Sequence, residues 1–238
     1  MADRPGRKPD LILAIDTSLG AVSTCVMRSG SIQAEAVESE VMARGHADAL
    51  VPMIGRVMAA VEDGFPSLAR VAVATGPGSF TGIRVGLAAA RAIGLARKVP
   101  VVGVSTLAAL AAPVIAAGTL GGIAVAIDAH HGHVFVQGFA ADGAITLPPS
   151  VMSAAAAVRA VGPGPVRLVG SGAPMMAIEA WSAGILAEID ERASLPDILF
   201  VARLGWLADP ARAKPHAFYI KPPDAKPPAS GTLVPRIG

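Results

Sequence analysis

The sequence predicts an α/β protein made of two similar subdomains, each a mixed sheet with helices. Three observations carry this. Short apolar strands bounded by turn residues alternate with segments of helical period. Hydrophobic residues make up 53% of the 238-residue chain but aromatics only 4%, so alanine and valine must pack helices and strands closely, backbone to backbone. Finally, AIDTSLGAV at 14–22 is echoed by AIDAHHGHV at 126–134. Both share Ala-Ile-Asp, then a glycine four residues after the aspartate and a valine six after it, so the second half restarts the architecture of the first.

Residues 1–9, with Arg4, Pro5, Arg7, Lys8 and Pro9, read as a solvated, flexible tail. LILAID (11–16), AVSTCVM (21–27) and SIQAEAV (31–37) follow, separated by turns at Leu19-Gly20 and Ser29-Gly30, and form a three-stranded meander. Leu50, Met53, Ile54, Val57, Met58 and Val61 then share one helical face. Pro52 lies inside that run, so the helix either begins late, with the proline in its first turn, or bends there. The strand VAVAT (71–75) enters GPGSFTGIRVG (76–86), and Ile83 to Lys98 continues as a helix ended by Pro100. Val99 to Ile127 carries no charge and is long enough to span a bilayer. Pro100, Pro113 and the glycines and hydroxyls at 103–106 and 118–122 cut it into strand, capped helix, turn and strand. The proline-rich stretch 222–238 reads as a second tail. The domains are thus 10–105, carrying the helices with the shared apolar face, and 106–221, whose last helix is free to return to the first.

The loop at 76–86 offers two chemistries. Glycines at 76, 78 and 82 between a strand and a helix let backbone N–H groups approach an anion at the positive end of the helix. Ser79 or Thr81 can cap that helix. Arg84 falls in the first turn, where a cation opposes the helix dipole unless an acidic group is near, Asp16 and Asp48 being the candidates. Asp16, Thr17, Gly76, Gly78, Ser79, Thr81 and Arg84 are therefore the candidate anion site, but the loop is neither a Walker A motif nor GxGxxG. A tight strand-to-helix turn accounts for the same residues.

The second chemistry is packing. Gly82, Gly86, Ala90 and Gly94 form a stripe of small residues beside Ile83 and Leu87, and glycine inside a helix costs about 1 kcal/mol relative to alanine. Another backbone must pass close. It belongs either to this chain's own 50–61 helix or to a partner, and on the partner reading Gly86→Trp abolishes association and leaves the monomer folded.

Catalytic constellations are sparse. His46 has Leu50, not a second ligand, four residues on. His130, His131 and His133 cluster without a cysteine or carboxylate at zinc-like spacing and read as a surface turn. Ser79 lacks the GxSxG elbow. Asp16 and Asp128 end strands at echoed positions, where a pair could organise magnesium or simply form turns. Cys25 is alone, so no internal disulfide forms; with no leader pattern at the start, the reading is cytoplasmic. A formal charge of +2 spread along the chain, and one Tyr, two Trp and six Phe, argue against strong nucleic-acid binding by this chain alone.

IDTS (15–18), His46 ahead of LVP, GPGSFTGIRVGLAAARAIG (76–94), IDAHHGHV (127–134), GSGA (170–173) and YIKPPDAK (219–226) together resemble the bacterial TsaB (YeaZ) family over nearly the whole chain between the tails. The resemblance implies the actin-like (ASKHA, ribonuclease H-like) fold of sugar kinases and chaperone ATPases. It implies a non-catalytic subunit, a pseudoenzyme partner of TsaD, the paralogue that transfers a threonylcarbamoyl group to the adenosine beside the anticodon of tRNAs reading codons that begin with A. The ATPase TsaE is a further implied partner. TsaD-like enzymes hold a metal through two histidines four apart, a pair that His46 and Leu50 cannot make.

The resemblance also implies a helical interface with TsaD, or with a second copy when the chain is alone, formed by Leu50, Met53, Ile54, Val57, Met58, Gly82, Ile83, Gly86, Leu87, Ala90 and Gly94. His130 and His133 stand where the family pattern has an arginine and a glutamate. No metal and no resident cofactor are expected, weak ATP or ADP binding with magnesium is left open, and tRNA is met only through the complex. The rival readings are an active kinase-like ATPase or metallopeptidase-like hydrolase of the same superfamily, and a self-associating scaffold without TsaD.

Overall fold

The computed structural model describes residues 10–191 and 194–219; both tails, and YIKPPDAK beyond Tyr219, lie outside them. The first half opens with β1 (Leu11–Asp16), β2 (Ala21–Arg28) and β3 (Ala34–Val41), an antiparallel meander as predicted. The third strand starts later than the pattern suggested, because Ser31 Oγ bonds the Gln33 carbonyl and amide and extends the turn. Helix α1 (His46–Ala59) precedes β4 (Leu68–Ala74), which pairs parallel to β1; α2 (Phe80–Arg97) precedes β5 (Val101–Val104), parallel to β4. Pro52 sits inside α1 on its exposed side, so the helix begins a turn and a half before the proline.

Helix α3 (Thr106–Ala117) and β6 (Gly122–Asp128) resolve the uncharged stretch into the short pieces its prolines and glycines required. Among the described residues no helix is long and apolar enough to cross a membrane. The meander then recurs as β6, β7 (His133–Phe139) and β8 (Ile145–Ser153), followed by α4 (Ala154–Val161), β9 (Val166–Val169), α5 (Ala173–Ser182), β10 (Ala187–Ile189) and α6 (Ile198–Leu207).

The strand orders β3-β2-β1-β4-β5 and β10-β9-β6-β7-β8 describe the same five-stranded unit, twice. This is the actin-like arrangement of two ribonuclease H-like subdomains. In the first, α1 and α2 bury Leu50, Met53, Ile54, Val57, Ile83 and Leu87 against Leu13, Ile15, Val22, Val71 and Val73. In the second, α4 and α5 cover the corresponding face with Ala157, Val158, Met176 and Ala180. The remaining faces are exchanged. Helix α6 packs on β1, β2, β4 and β5 of the first sheet, whereas α3 packs on β6 and β7 of the second. Arg70 on β4 fastens α6 in place, donating to the carbonyls of Gly205, Trp206 and Ala208 at 2.8–2.9 Å.

Candidate functional site

The echoed segments fold alike. Asp16 Oδ1 accepts the Ser18 N–H at 2.8 Å, and Asp128 Oδ1 accepts the His130 N–H at 2.7 Å, each closing the turn after the first strand of its meander. In the first half this turn is clasped by the glycine loop. The Ser79 N–H donates to the Ser18 carbonyl at 2.7 Å, and the Thr17 hydroxyl donates to the Gly82 carbonyl at 2.7 Å. A Cβ at Gly78 would lie 2.1 Å from the Ser18 carbonyl oxygen, one at Gly82 2.0 Å from that of Thr17, and one at Gly86 2.6 Å from Thr17 Oγ1. The close neighbour that Gly78, Gly82 and Gly86 demand is therefore the 17–18 turn of this same chain, while Gly94 makes room for Val101. The second half repeats the device: the Gly172 N–H donates to the Ala126 carbonyl, and a Cβ at Gly170 would meet that oxygen at 2.4 Å.

The remaining members of the candidate anion set disperse. Ser79 is the cap, its hydroxyl accepting the Gly82 N–H, whereas Thr81 points to solvent. Asp16 is 4% exposed, and burial raises its pKa, opposed by the bonds from Ser18 and by the charge of His46. Asp16 and Asp48 are not the partners of Arg84. Its guanidinium lies 3.6 Å over the Phe80 ring, and Nε donates to Tyr219 Oη at 3.4 Å. Gly76 contributes its carbonyl to the Thr106 N–H, which joins the loop to the start of α3.

His46 Nε2 sits 3.1 Å from the Leu19 carbonyl, and Leu50 is wholly buried. His130, His131 and His133 lie exposed on the 128–133 turn, and among the described residues no three His, Cys, Asp or Glu side chains group as a metal site. A cleft of about 520 Å3 beside the end of α3 is lined in part by Arg167, Asp190 and Asp197. Its charges serve the fold: Arg167 pairs with Glu188 and Asp190, and Asp197 caps α6 by accepting the Leu199 N–H.

The interface set needs the largest correction. Leu50, Met53, Ile54, Val57, Met58, Ile83, Leu87 and Ala90 are at most 4% exposed, and Gly82, Gly86 and Gly94 are buried as well. All face the first sheet or each other, so none can touch a partner of the folded chain. Gly86→Trp would consequently disrupt the core. What the paired helices present outward is a different set, Val51, Pro52, Gly55 and Ala59 on α1 with Ala88, Ala92 and Leu95 on α2. These positions lie opposite the buried ones on each helix, interspersed with the exposed Asp48 and Arg56 on α1 and Arg84 and Arg91 on α2. Val51 is 66% and Leu95 83% exposed.

Residues 32–168 match the family model described as TsaD: tRNA N6-adenosine threonylcarbamoyltransferase. Over 91% of its length the chain is 36% identical to an uncharacterised Mycobacterium tuberculosis (H37Rv) protein, 94% of which is covered. It is 32% identical over 124 residues, 52% of each chain, to the Escherichia coli K12 tRNA threonylcarbamoyladenosine biosynthesis protein TsaB. The chain belongs to the TsaB (YeaZ) family. Its fold agrees with that of YeaZ from Pseudomonas aeruginosa, with a TM-score of 0.65 at 23% identity over 88% of this chain and 99% of that one. The TsaB-type GPGSFTG segment is thus, in this chain, a clasp between the first strand's turn and α2.

Proposed function

We propose that this chain is the non-catalytic subunit of a threonylcarbamoyladenosine-forming system, acting on tRNAs that read codons beginning with A by heterodimerising with a TsaD-like paralogue. The observation that carries the reading is the outward face of α1 and α2. Two adjacent helices leave Pro52, Gly55 and Ala59, and Ala88, Ala92 and Leu95, uncovered at helical spacing. Small residues allow two helices of another chain to approach closely, and burying Val51 and Leu95 would contribute roughly 1.5–3 kcal/mol each. In the absence of the paralogue, the same face serves a homodimer.

Absence of chemistry is supported by how the residues are spent. The Ser79 and Gly82 amides are satisfied within the clasp, and the space over Gly78 and Gly82 holds backbone carbonyls. His46 has a buried leucine in the place of a second ligand. Any ATP or ADP binding is accordingly weak, and a TsaE-like ATPase supplies the nucleotide step in the cytoplasmic complex.

The test is nucleoside mass spectrometry of tRNA from cells depleted of the protein and rescued with wild type or with Ala88→Glu/Ala92→Glu. Recovery of threonylcarbamoyladenosine with wild type alone, together with loss of co-elution with the paralogue by the folded variant, supports the proposal. Undiminished modification in depleted cells refutes it. Calorimetric titration with ATP and magnesium should give no heat of tight binding.

A further inference from the structure

From Gly64 to Ile127 the chain contains no aspartate or glutamate, yet it carries Arg70, Arg84, Arg91, Arg97 and Lys98; residues 210–219 also lack an acid and add Arg212, Lys214 and His216. The fold brings these two segments together. After α6 the chain runs as a strap along the edge of the first sheet, where Gly103 N–H donates to the Ala213 carbonyl at 2.9 Å and Phe218 N–H to the Thr75 carbonyl at 2.8 Å. Arg91 donates to the Pro215 carbonyl beside it. The strap delivers Tyr219 to the first turn of α2, with its ring 5.4 Å from that of Phe80 and inclined by 34°. Both rings remain open to solvent, Phe80 44% and Tyr219 45% exposed, with the Arg84 guanidinium stacked on the first.

Arg84 and Arg91 lie seven residues apart on one edge of α2, about 10.5 Å along its axis. Neither they nor Arg97, Lys98 or Lys214 has an ion-pair partner among the described residues. Two exposed rings beside unpaired guanidiniums, on two segments that carry no carboxylate, match the demands of single-stranded nucleic acid: π-faces for bases and forked donors for phosphates. Composition alone argued against a stacking surface; the fold builds a small one from the only tyrosine and one of six phenylalanines. We infer that the α2–strap face, centred on Phe80, Arg84, Arg91 and Tyr219, binds single-stranded RNA such as the unpaired loop of a tRNA. This rests on the proposed role in tRNA modification and gives the non-catalytic chain its own contact with the substrate. Arg84 and Arg91 share the outward side of α2 with Ala88 and Leu95, at i, i+7, i+4 and i+11, so the RNA surface adjoins the face proposed for the paralogue, with Phe80 and Tyr219 at the N-terminal end of that helix.

The experiment is fluorescence anisotropy of a labelled mixed-sequence single-stranded RNA decamer with the full chain between 25 and 200 mM salt, repeated with tRNA and the complex. For single strands log K falls with log salt by about 0.7 per phosphate contacted. Arg84→Gln/Arg91→Gln should weaken binding about tenfold and flatten that slope by about 1.4. Phe80→Leu/Tyr219→Leu should weaken it about tenfold with the slope unchanged. All four side chains are at the surface, and unchanged melting temperatures verify that the variants are folded. Equal affinity of wild type and both variants overturns the proposal. So does loss of co-elution with the paralogue without loss of RNA affinity, which makes the face a protein contact. RNA affinity is read on purified chain and modification in cells, so either reading can fail alone.

Discussion

Gly82→Ala separates the two chemistries of the glycine loop by the sign of one stability change. On helix propensity alone the substitution stabilises α2 by about 1 kcal/mol, and a loop kept open for a ligand would show that gain. In the clasp, the new Cβ falls 2.0 Å from the Thr17 carbonyl oxygen and 3.2 Å from its carbon. Ordinary contact requires about 3.4 Å or more, so a backbone carbonyl inside the β1–β2 turn must retreat by more than 1 Å, breaking the 2.7 Å bond from Thr17 Oγ1 to Gly82. Overpacking of this kind costs about 1–3 kcal/mol or more, and a lost neutral hydrogen bond about 1 kcal/mol. After the propensity gain, the net loss is about 1–3 kcal/mol, or a melting temperature lower by roughly 2–12 °C for a chain of this size. Gly55→Ala is the matched control. It lies in the adjacent helix with nothing within 4 Å of its Cβ, and should raise the melting temperature by about 2–4 °C. Differential scanning calorimetry of both variants decides the matter. A Gly82→Ala protein as stable as wild type would refute the clasp.

Three further outcomes are expected. Burial holds the Asp16 carboxyl above its usual 3.8, so between that value and its folded pKa the native state binds more protons than the unfolded chain, and Asp16 costs stability as pH rises through this window. Asp16→Asn, whose Oδ1 can still accept from Ser18, should be more stable than wild type at pH 7, with the difference vanishing toward pH 4; equal stability at pH 7 contradicts the assignment. Cys25 is buried with its thiol pushed up to about 12, chiefly by desolvation, so a thiol reagent at pH 8 should label it only after denaturant is added. Arg70→Met removes three charge-assisted bonds to the end of α6 and should lower stability by about 2 kcal/mol, read as a reduced urea midpoint.

Much of the architecture is legible in the chain because it depends on local signals. Turn residues at Leu19-Gly20 and Ser29-Gly30 punctuate the first meander, and the Ala-Ile-Asp echo marks aspartates that make the same turn bond in both halves. The stretch from Ala154 to Leu207 is punctuated at Gly162–Pro165 and Gly170–Gly172, but which face each of its helices buries is fixed by packing against the second sheet and, for α6, the first. The candidate site was misread for a different reason. Periodicity shows that Leu50, Met53 and Val57 share a face with one another, and that Gly82 and Gly86 share another, but not what covers either face. That depends on where Thr17 lies, sixty-five residues from Gly82 in sequence. The aromatic pair of Phe80 and Tyr219 is equally nonlocal, since the strap that joins them is anchored by backbone bonds to Thr75 and Gly103 and by Arg91 on the Pro215 carbonyl.

The exchange of α3 and α6 between the sheets gives the order of synthesis a physical meaning. On a ribosome adding 5–20 residues per second, β1 to β5 are complete when about 104 residues have been made, with α1 and α2 ready to cover one face. The other face, with Ile12, Ala14, Cys25, Met27 and Ala72, waits for Ile198, Val201 and Ala202, roughly five to twenty seconds later. During that interval the nascent chain displays an apolar sheet surface that nothing yet translated fully covers. A chain cut anywhere before α6 would keep that surface permanently, which makes the last hundred residues as necessary to the first subdomain as its own helices.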